Sequence, residues 1–189
     1  MKKSRKIKTL AIVGGGIAGH EAAFAARSAD PDIRIVIITE EKHPLYSACV
    51  LADYVAGEIP REKVFLRSPE DYKKAQIEHI STRRVTNISP DQQILQFEGE
   101  DLFYDFLILA TGSKPAIPPI TGIDLEGVFF FKTIDDADQL KLHPAKSAII
   151  VGSGPIGIEL AMALNKRGCA VTIIELLDRL LPRVFDPHL

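Results

Sequence analysis

Residues 7–19 read IKTLAIVGGGIAG. The first seven are short, apolar and closed by glycine, which reads as a buried strand over 7–13. Residues 17–29 read as a helix, with Ala18, Ala22, Ala25, Ala26 and Ala29 forming a small-residue face and Pro31 standing past its end as a breaker. Residues 33–39, IRIVIIT, read as a second strand that ends at Glu40. Strand, glycine loop, helix and strand make the βαβ unit of a parallel sheet.

The loop Gly14-Gly15-Gly16-Ile17-Ala18-Gly19 fits G-x-G-x-x-G through Gly14, Gly16 and Gly19. Each glycine has a mechanical job. Gly14 permits the tight turn out of the strand, Gly16 lets a pyrophosphate approach the backbone, and Gly19 lets the helix pack on the strand. The helix N-terminus then offers free N–H groups and a partial positive charge to phosphates. Glu40 follows Gly19 by 21 residues, where a carboxylate accepts hydrogen bonds from both hydroxyls of an adenosine ribose.

The same grammar returns near the other end. Ser147–Val151 reads as a strand, Pro155 to Arg167 as a helix and Cys169–Ile174 as a strand, with Gly168 ending the helix. The loop Gly152-Ser153-Gly154-Pro155-Ile156-Gly157 repeats the pattern through Gly152, Gly154 and Gly157. Its acid, Glu175, stands 18 residues past Gly157. A carboxylate there favours a free 2′-hydroxyl over a 2′-phosphate, so NAD is expected rather than NADP. Arg179 and Arg183, close behind, keep NADP open as the alternative. Two complete sites imply two cofactors passing electrons between them. The usual pair is FAD with NAD(P)H, because hydride moves directly from nicotinamide to flavin.

Between the loops the reading is coarser. Residues 41–80 are broken by Pro44, Gly57, Pro60 and Pro69, with a short helix expected over Glu70–Ile77. Arg84–Ile88, Ile94–Phe97 and Leu102–Tyr104 read as short antiparallel strands, and Phe106–Ala110 as a buried one. Lys114 to Gly122, with Pro115, Pro118 and Pro119, is the linker candidate.

Lys and Arg number 23 against 25 Asp and Glu, net −2, which argues against broad binding to nucleic acid or anionic membrane. No apolar run approaches the ~18 residues of a membrane span. Two cysteines build no disulfide framework, so a reducing compartment, the cytoplasm, is expected. Lys2, Lys3, Arg5, Lys6 and Lys8 precede an apolar stretch and imitate a secretory signal. That stretch runs into the glycine loop and then His20, Glu21 and Arg27, so the basic start is read as a solvated terminus.

With these motifs in order, the chain resembles the FAD-dependent pyridine nucleotide-disulfide oxidoreductases. The resemblance also rests on Tyr104-Asp105-Phe106-Leu107-Ile108-Leu109-Ala110-Thr111-Gly112-Ser113-Lys114-Pro115, which is similar to the stretch where that family leaves its FAD domain. It implies an α/β fold: a Rossmann-like FAD-binding domain over 1–114, with a parallel sheet and a small antiparallel β-meander. The start of a second Rossmann-like domain, for NAD(P), then covers 115–189. It places Gly14, Gly16, Gly19, Glu40, Val85, Thr111 and Gly112 at FAD, and Gly152, Gly154, Ile156, Gly157 and Glu175 at NAD. It implies a hydride passing from NADH to FAD and on to an acceptor.

Within the family, Tyr46-Ser47-Ala48-Cys49-Val50-Leu51-Ala52-Asp53-Tyr54 resembles the NADH oxidase, coenzyme A-disulfide reductase and nitrite reductase large-subunit group. Relatives often carry Pro, Pro and Tyr where this chain has Ala48, Ala52 and Asp53. The Cys-x-x-x-x-Cys pair of glutathione and lipoamide reductases is absent. Cys49 matches the group's single redox-active cysteine, which needs access and a low thiol pKa; an ordinary packed cysteine is the alternative. The acceptors implied are a disulfide or persulfide such as coenzyme A disulfide, oxygen or peroxide, or a small electron-carrier protein, as in nitrite reductase-like or rubredoxin reductase-like subunits. A nucleotide-binding module without turnover is the rival from another class. Cys169 is expected to be buried, His20 structural, and no histidine has metal-ligand spacing. The later Gly-Asp segment and dimerisation domain of the family are not found before Leu189, so the chain is expected to be the N-terminal portion of a longer protein that forms a homodimer.

Overall fold

The computed structural model describes residues 7–182 and 184–186. Lys2, Lys3, Arg5 and Lys6 of the basic start, together with Arg183 and His188, lie outside the described residues. Two compact units form. One holds the chain up to Tyr46 together with Phe65–Lys114, and the other holds Ser47–Val64 with Pro115 onward.

In the first unit β1 (Thr9–Val13) leads through α1 (Ile17–Ala29) to β2 (Arg34–Ile38). After α2 (Leu51–Ala56), which belongs to the other unit, α3 (Pro69–Lys74) leads to β3 (Ile77–Ile80). The meander β4 (Val85–Ser89), β5 (Ile94–Phe97) and β6 (Glu100–Phe103) follows, then β7 (Phe106–Leu109). The parallel sheet runs β3-β2-β1-β7, and the meander is a separate antiparallel sheet in the order β4-β5-β6. Both the parallel sheet and the meander thus appear as expected.

Alternation along the strands makes two cores. Leu10, Ile12, Ile35 and Ile37 face one side and pack with Ala23 of α1, Tyr72 of α3 and Ile77. Ala11, Val13, Val36 and Ile38 face the other and pack with Leu95, Phe97, Leu102 and Tyr104 from the meander. A parallel sheet needs both faces covered, and here a helix layer and a small β-sheet cover them.

The expected helix over Glu70–Ile77 is shorter, and Ile77 opens a strand instead. Ser68 and Asp71 cap α3 at its start, and Gln76 ends the helical turn with φ +51. Ile77–Ile80 then pairs with Ile35–Ile38 at the sheet edge. Glu98 and Gly99 supply the two positive φ values, +47 and +85, of the tight hairpin between β5 and β6.

In the second unit a one-turn 3-10 segment (Ala48–Val50) precedes α2, and α4 (Ile134–Leu142) follows the linker. Then come β8 (Ser147–Val151), α5 (Pro155–Lys166) and β9 (Ala170–Ile174). Thr133 caps α4, its hydroxyl accepting from the Asp136 amide at 3.2 Å while Asp136 accepts from the Thr133 amide at 2.8 Å. Asp138 of α4 accepts from the Tyr54 hydroxyl of α2 at 2.7 Å and pairs with Arg61 at 2.9 Å. Lys166 of α5 pairs with Glu58 just beyond α2. β8 and β9 run parallel from Ser147 beside Ala170 to Val151 beside Ile174. Cys169 is buried immediately ahead of β9, and Gly168, at φ +82, turns the chain from α5 into it.

Candidate cofactor sites

Both glycine loops leave the C-terminal end of a parallel strand and enter a helix. At the first, Gly14 takes φ +120 and its amide donates to the Ile38 carbonyl at 2.9 Å. A Cβ at Gly14 would run into the Ala110 carbonyl, so only glycine fits. Gly19 presses on the Gly14 carbonyl, and a Cβ there would also lie 3.3 Å from Ile12. Gly16 differs: its φ is an ordinary −81, and a Cβ would meet nothing within 4 Å. The backbone is bare there, at the N-terminus of α1.

The second loop repeats these relations except the clash at its first glycine, where a Cβ at Gly152 would meet nothing within 4 Å. Gly152 takes φ +100 and its amide donates to the Ile174 carbonyl at 2.8 Å. Gly157 presses on the Gly152 carbonyl, and a Cβ there would lie 3.4 Å from Ile150. Gly154 opens onto free space ahead of α5. A surface that a Cβ would fill, at a helix N-terminus, suits the close approach of a pyrophosphate. Both loops therefore fit a dinucleotide.

The other residues expected at the first loop come together around it. Glu40 lies two residues past β2, exposed, with its carboxylate 3.4 Å from Arg84. The Arg83 amide donates to the Thr39 carbonyl at 2.9 Å, which brings Val85, the first residue of β4, alongside the same strand end. Ala110 donates to the Val13 carbonyl at 2.8 Å, so Thr111 and Gly112 emerge beside Gly14. Gly112 has φ +67 and both residues are exposed.

At the second loop Glu175 follows β9 directly. One carboxylate oxygen accepts from the Ser153 amide at 2.8 Å and from the Ser153 hydroxyl at 2.6 Å. The other accepts from the Leu177 amide at 3.0 Å. These donors, the Ser153 hydroxyl foremost, hold the carboxyl down to about 2, against an ordinary 4.5. Ile156 is exposed on the first turn of α5.

Cys49 belongs to the second unit and is exposed in the 3-10 turn ahead of α2. It lines a cavity of about 150 Å³ with Ala52 and Asp53 of α2 and Glu159, Met162 and Lys166 of α5. The helix that starts at the second glycine loop thus also walls the space beside Cys49.

Three structural features of these loops carried no motif. Gly15 faces Thr39, and a Cβ there would lie 2.9 Å from the Thr39 Cβ. Ser153, fully buried, occupies a position that the glycine pattern leaves unspecified. His20, also fully buried, has Nδ1 3.0 Å from the Gly16 carbonyl and Nε2 2.8 Å from the Tyr72 hydroxyl. A structural His20 was readable in outline; its partners were not.

A family model described as pyridine nucleotide-disulphide oxidoreductase matches residues 8–189. The chain belongs to this family. The resemblance read from the sequence is borne out, and with it the family's cofactors, FAD and NAD(H). Among curated family members, an NADH oxidase of Methanocaldococcus jannaschii is 35% identical over 94% of this chain and 42% of its own length. A biphenyl dioxygenase system ferredoxin–NAD(+) reductase component of Paraburkholderia xenovorans is 38% identical over 94% of this chain and 44% of its own. The solved NAD-dependent persulfide reductase from A. fulgidus is 32% identical with a TM-score of 0.87, covering 92% of this chain and 35% of that one. The chain thus spans less than half the length of the curated relatives it matches. No helix among the described residues is long and apolar enough to cross a membrane.

Proposed function

We propose that this chain forms the dinucleotide-binding part of a flavin-dependent NADH oxidoreductase whose electrons go to a disulfide or persulfide through Cys49. The observation that carries the reading is the doubled glycine loop. Gly14 and Gly152 both take a positive φ and donate their amide to the last residue of the neighbouring strand. Gly16 and Gly154 both leave open space ahead of a helix, and Gly19 and Gly157 both press on the carbonyl of their loop's first glycine. In this reading the FAD-binding domain spans 1–114 and the NAD domain 115–189.

Gly16 leaves the α1 amides bare for the FAD pyrophosphate, and Glu40 is positioned to accept from its adenosine ribose. Val85 supplies backbone toward the adenine, and Thr111 and Gly112 line the side of the loop nearest β7. Gly154 and Ile156 face the NADH pyrophosphate at α5, with Gly152 and Gly157 holding the loop and Glu175 as the ribose acceptor. When bound, FAD supplies the capacity to take hydride from NADH and release electron pairs to a sulfur acceptor. Cys49 is exposed, as attack on a second molecule requires. Its thiolate would attack a disulfide or persulfide sulfur, expelling one thiol or hydrosulfide. Two electrons from NADH and a proton would then free the second thiol and restore Cys49.

A small electron carrier is the second reading. Ala48, Ala52 and Asp53 depart from the sulfur-reducing pattern, and a 38% identical relative is named as a ferredoxin reductase component. The expected homodimer, and a cytoplasmic location consistent with two free cysteines, complete the proposal.

The test is a visible absorption spectrum of the protein with chromatography of heat-released cofactor, followed by anaerobic NADH titration. Released FAD and bleaching of the visible band by NADH are the expected results. A protein that stays colourless after incubation with FAD would overturn the reading of the first loop.

A further inference from the structure

Ser153 is the junction of three segments. Its amide and hydroxyl both donate to one oxygen of Glu175, at 2.8 and 2.6 Å. Its carbonyl accepts from the Leu181 amide at 3.1 Å. It is fully buried although it stands between two glycines of an open loop. The segment behind Glu175 is therefore folded back onto the glycine loop through a single residue. Leu181 takes φ +50 to complete the return. On the same segment Arg179 spends its guanidinium on the Pro182 carbonyl at 3.1 Å, and its Nε is buried without a hydrogen-bond partner among the described residues.

We infer that Ser153 is a positioning residue for cofactor selectivity, acting through Glu175 to favour NADH over NADPH. This rests on reading the second loop as the NAD site. An adenosine ribose is discriminated by what its 2′ position meets. A carboxylate repels a 2′-phosphate and accepts from a 2′-hydroxyl. That discrimination needs the carboxylate to be ionised and held near the loop. An ordinary carboxyl is already ionised at neutral pH. The two Ser153 donors supply the second condition, because hydrogen bonds to the charged form fix its position. Ser153 also limits the competing cation: with the Leu181 amide tied to the Ser153 carbonyl, the return segment keeps Arg179 turned onto Pro182.

Ser153→Ala removes the hydroxyl, keeps the amide and opens no large void. Fluorescence titration of the full chain with NADH and with NADPH gives the ratio of the two dissociation constants. A charge-assisted hydrogen bond in this place converts to about a tenfold change, so the preference for NADH is expected to fall about tenfold. Carbon-13 titration of the Glu175 carboxyl is expected to move upward from about 2 toward the ordinary value, which a merely structural serine would not cause. In a Glu175→Gln background the same Ser153→Ala change should leave the ratio alone, because the group it acts through is gone. A ratio that survives Ser153→Ala, or one that shifts equally in both backgrounds, would overturn the inference. If the unchanged protein binds neither nucleotide, the NAD reading itself fails, and this inference with it.

Discussion

Tyr72 donates its phenolic hydrogen to Nε2 of the buried His20 across 2.8 Å. The direction follows from the neighbours. The other ring nitrogen lies 3.0 Å from the Gly16 carbonyl, which only accepts, so Nδ1 carries the hydrogen. Nε2 of the neutral ring is then the acceptor, and the Tyr72 oxygen accepts in turn from the Leu45 amide at 3.1 Å. One chain of hydrogen bonds thus joins the carbonyl at the bare position of the first loop to α3 and to the segment at Leu45. Tyr72→Phe would strand the Nε2 acceptor and the Leu45 donor together. A loss of about 1–3 kcal/mol is expected, read as a lower urea midpoint with unchanged slope.

The same cluster makes stability depend on pH. Burial pushes His20 below its ordinary 6.5, and burial, with His20 nearby, pushes His79 down to about 4. Both folded-state values are depressed, so below pH 6.5 the unfolded chain takes up protons that the folded one refuses. Stability is complete above about 6.5 and declines as pH falls from there toward 4. His79→Asn should flatten that decline relative to the unchanged protein in chemical denaturation at a series of pH values. An identical slope would mean that His79 is not the cause.

Gly16→Ala and Gly19→Ala should separate binding from folding. At Gly16 the backbone is ordinary and a methyl enters open space, so the melting temperature should hold while FAD retention falls. At Gly19 a methyl meets the Gly14 carbonyl, so the helix must lift off the strand. An overpacking loss of about 1–3 kcal/mol is expected there. Thermal melts and released FAD, measured on the same samples, check both.

Much of this division is legible in the sequence, and the reason is local. The glycine loops, the strands that feed them and the acids that follow each depend on residues adjacent in the chain. β3 was missed because Glu78 and His79 interrupt its apolar run, and only the neighbouring β2 makes Ile77–Ile80 a strand. α4 was missed because its apolar positions, Ile134, Ala137 and Leu140, are sparse among acids, although Thr133 and Asp136 already form a capping box. Ser153 had no signal at all, since its importance arises from the return of residues 175–181 in space.

Cys49→Ser tests the acceptor. NADH-driven reduction of coenzyme A disulfide should be lost, while reduction of a one-electron carrier should persist within about twofold, since only the first needs a sulfur nucleophile. Loss of both activities would argue that the residue shapes the site instead.

Asp138 joins α4 to α2 through Tyr54 and to Arg61. The Arg61 side chain is 40% exposed, so the ion pair itself contributes little. The buried ring of Tyr54 loses its acceptor in Asp138→Ala, and a cost of about 1–2 kcal/mol is expected from that hydroxyl. The Tyr54→Phe/Asp138→Ala double mutant should therefore be less destabilised than the sum of the singles.

β1 lies between β2 and β7 in the first sheet, its Leu10 beside Phe106 and its Val13 beside Leu109. The strand that opens the fold is thus flanked on one side by residues made almost a hundred positions later. At translation speeds of about 5–20 residues per second, a nascent chain waits on the order of ten seconds between the two. During that interval β1 presents an unpaired edge that is apolar from Leu10 to Val13. Biosynthesis of this protein should accordingly be most vulnerable to a ribosomal stall between β3 and β7, when chaperone engagement matters most.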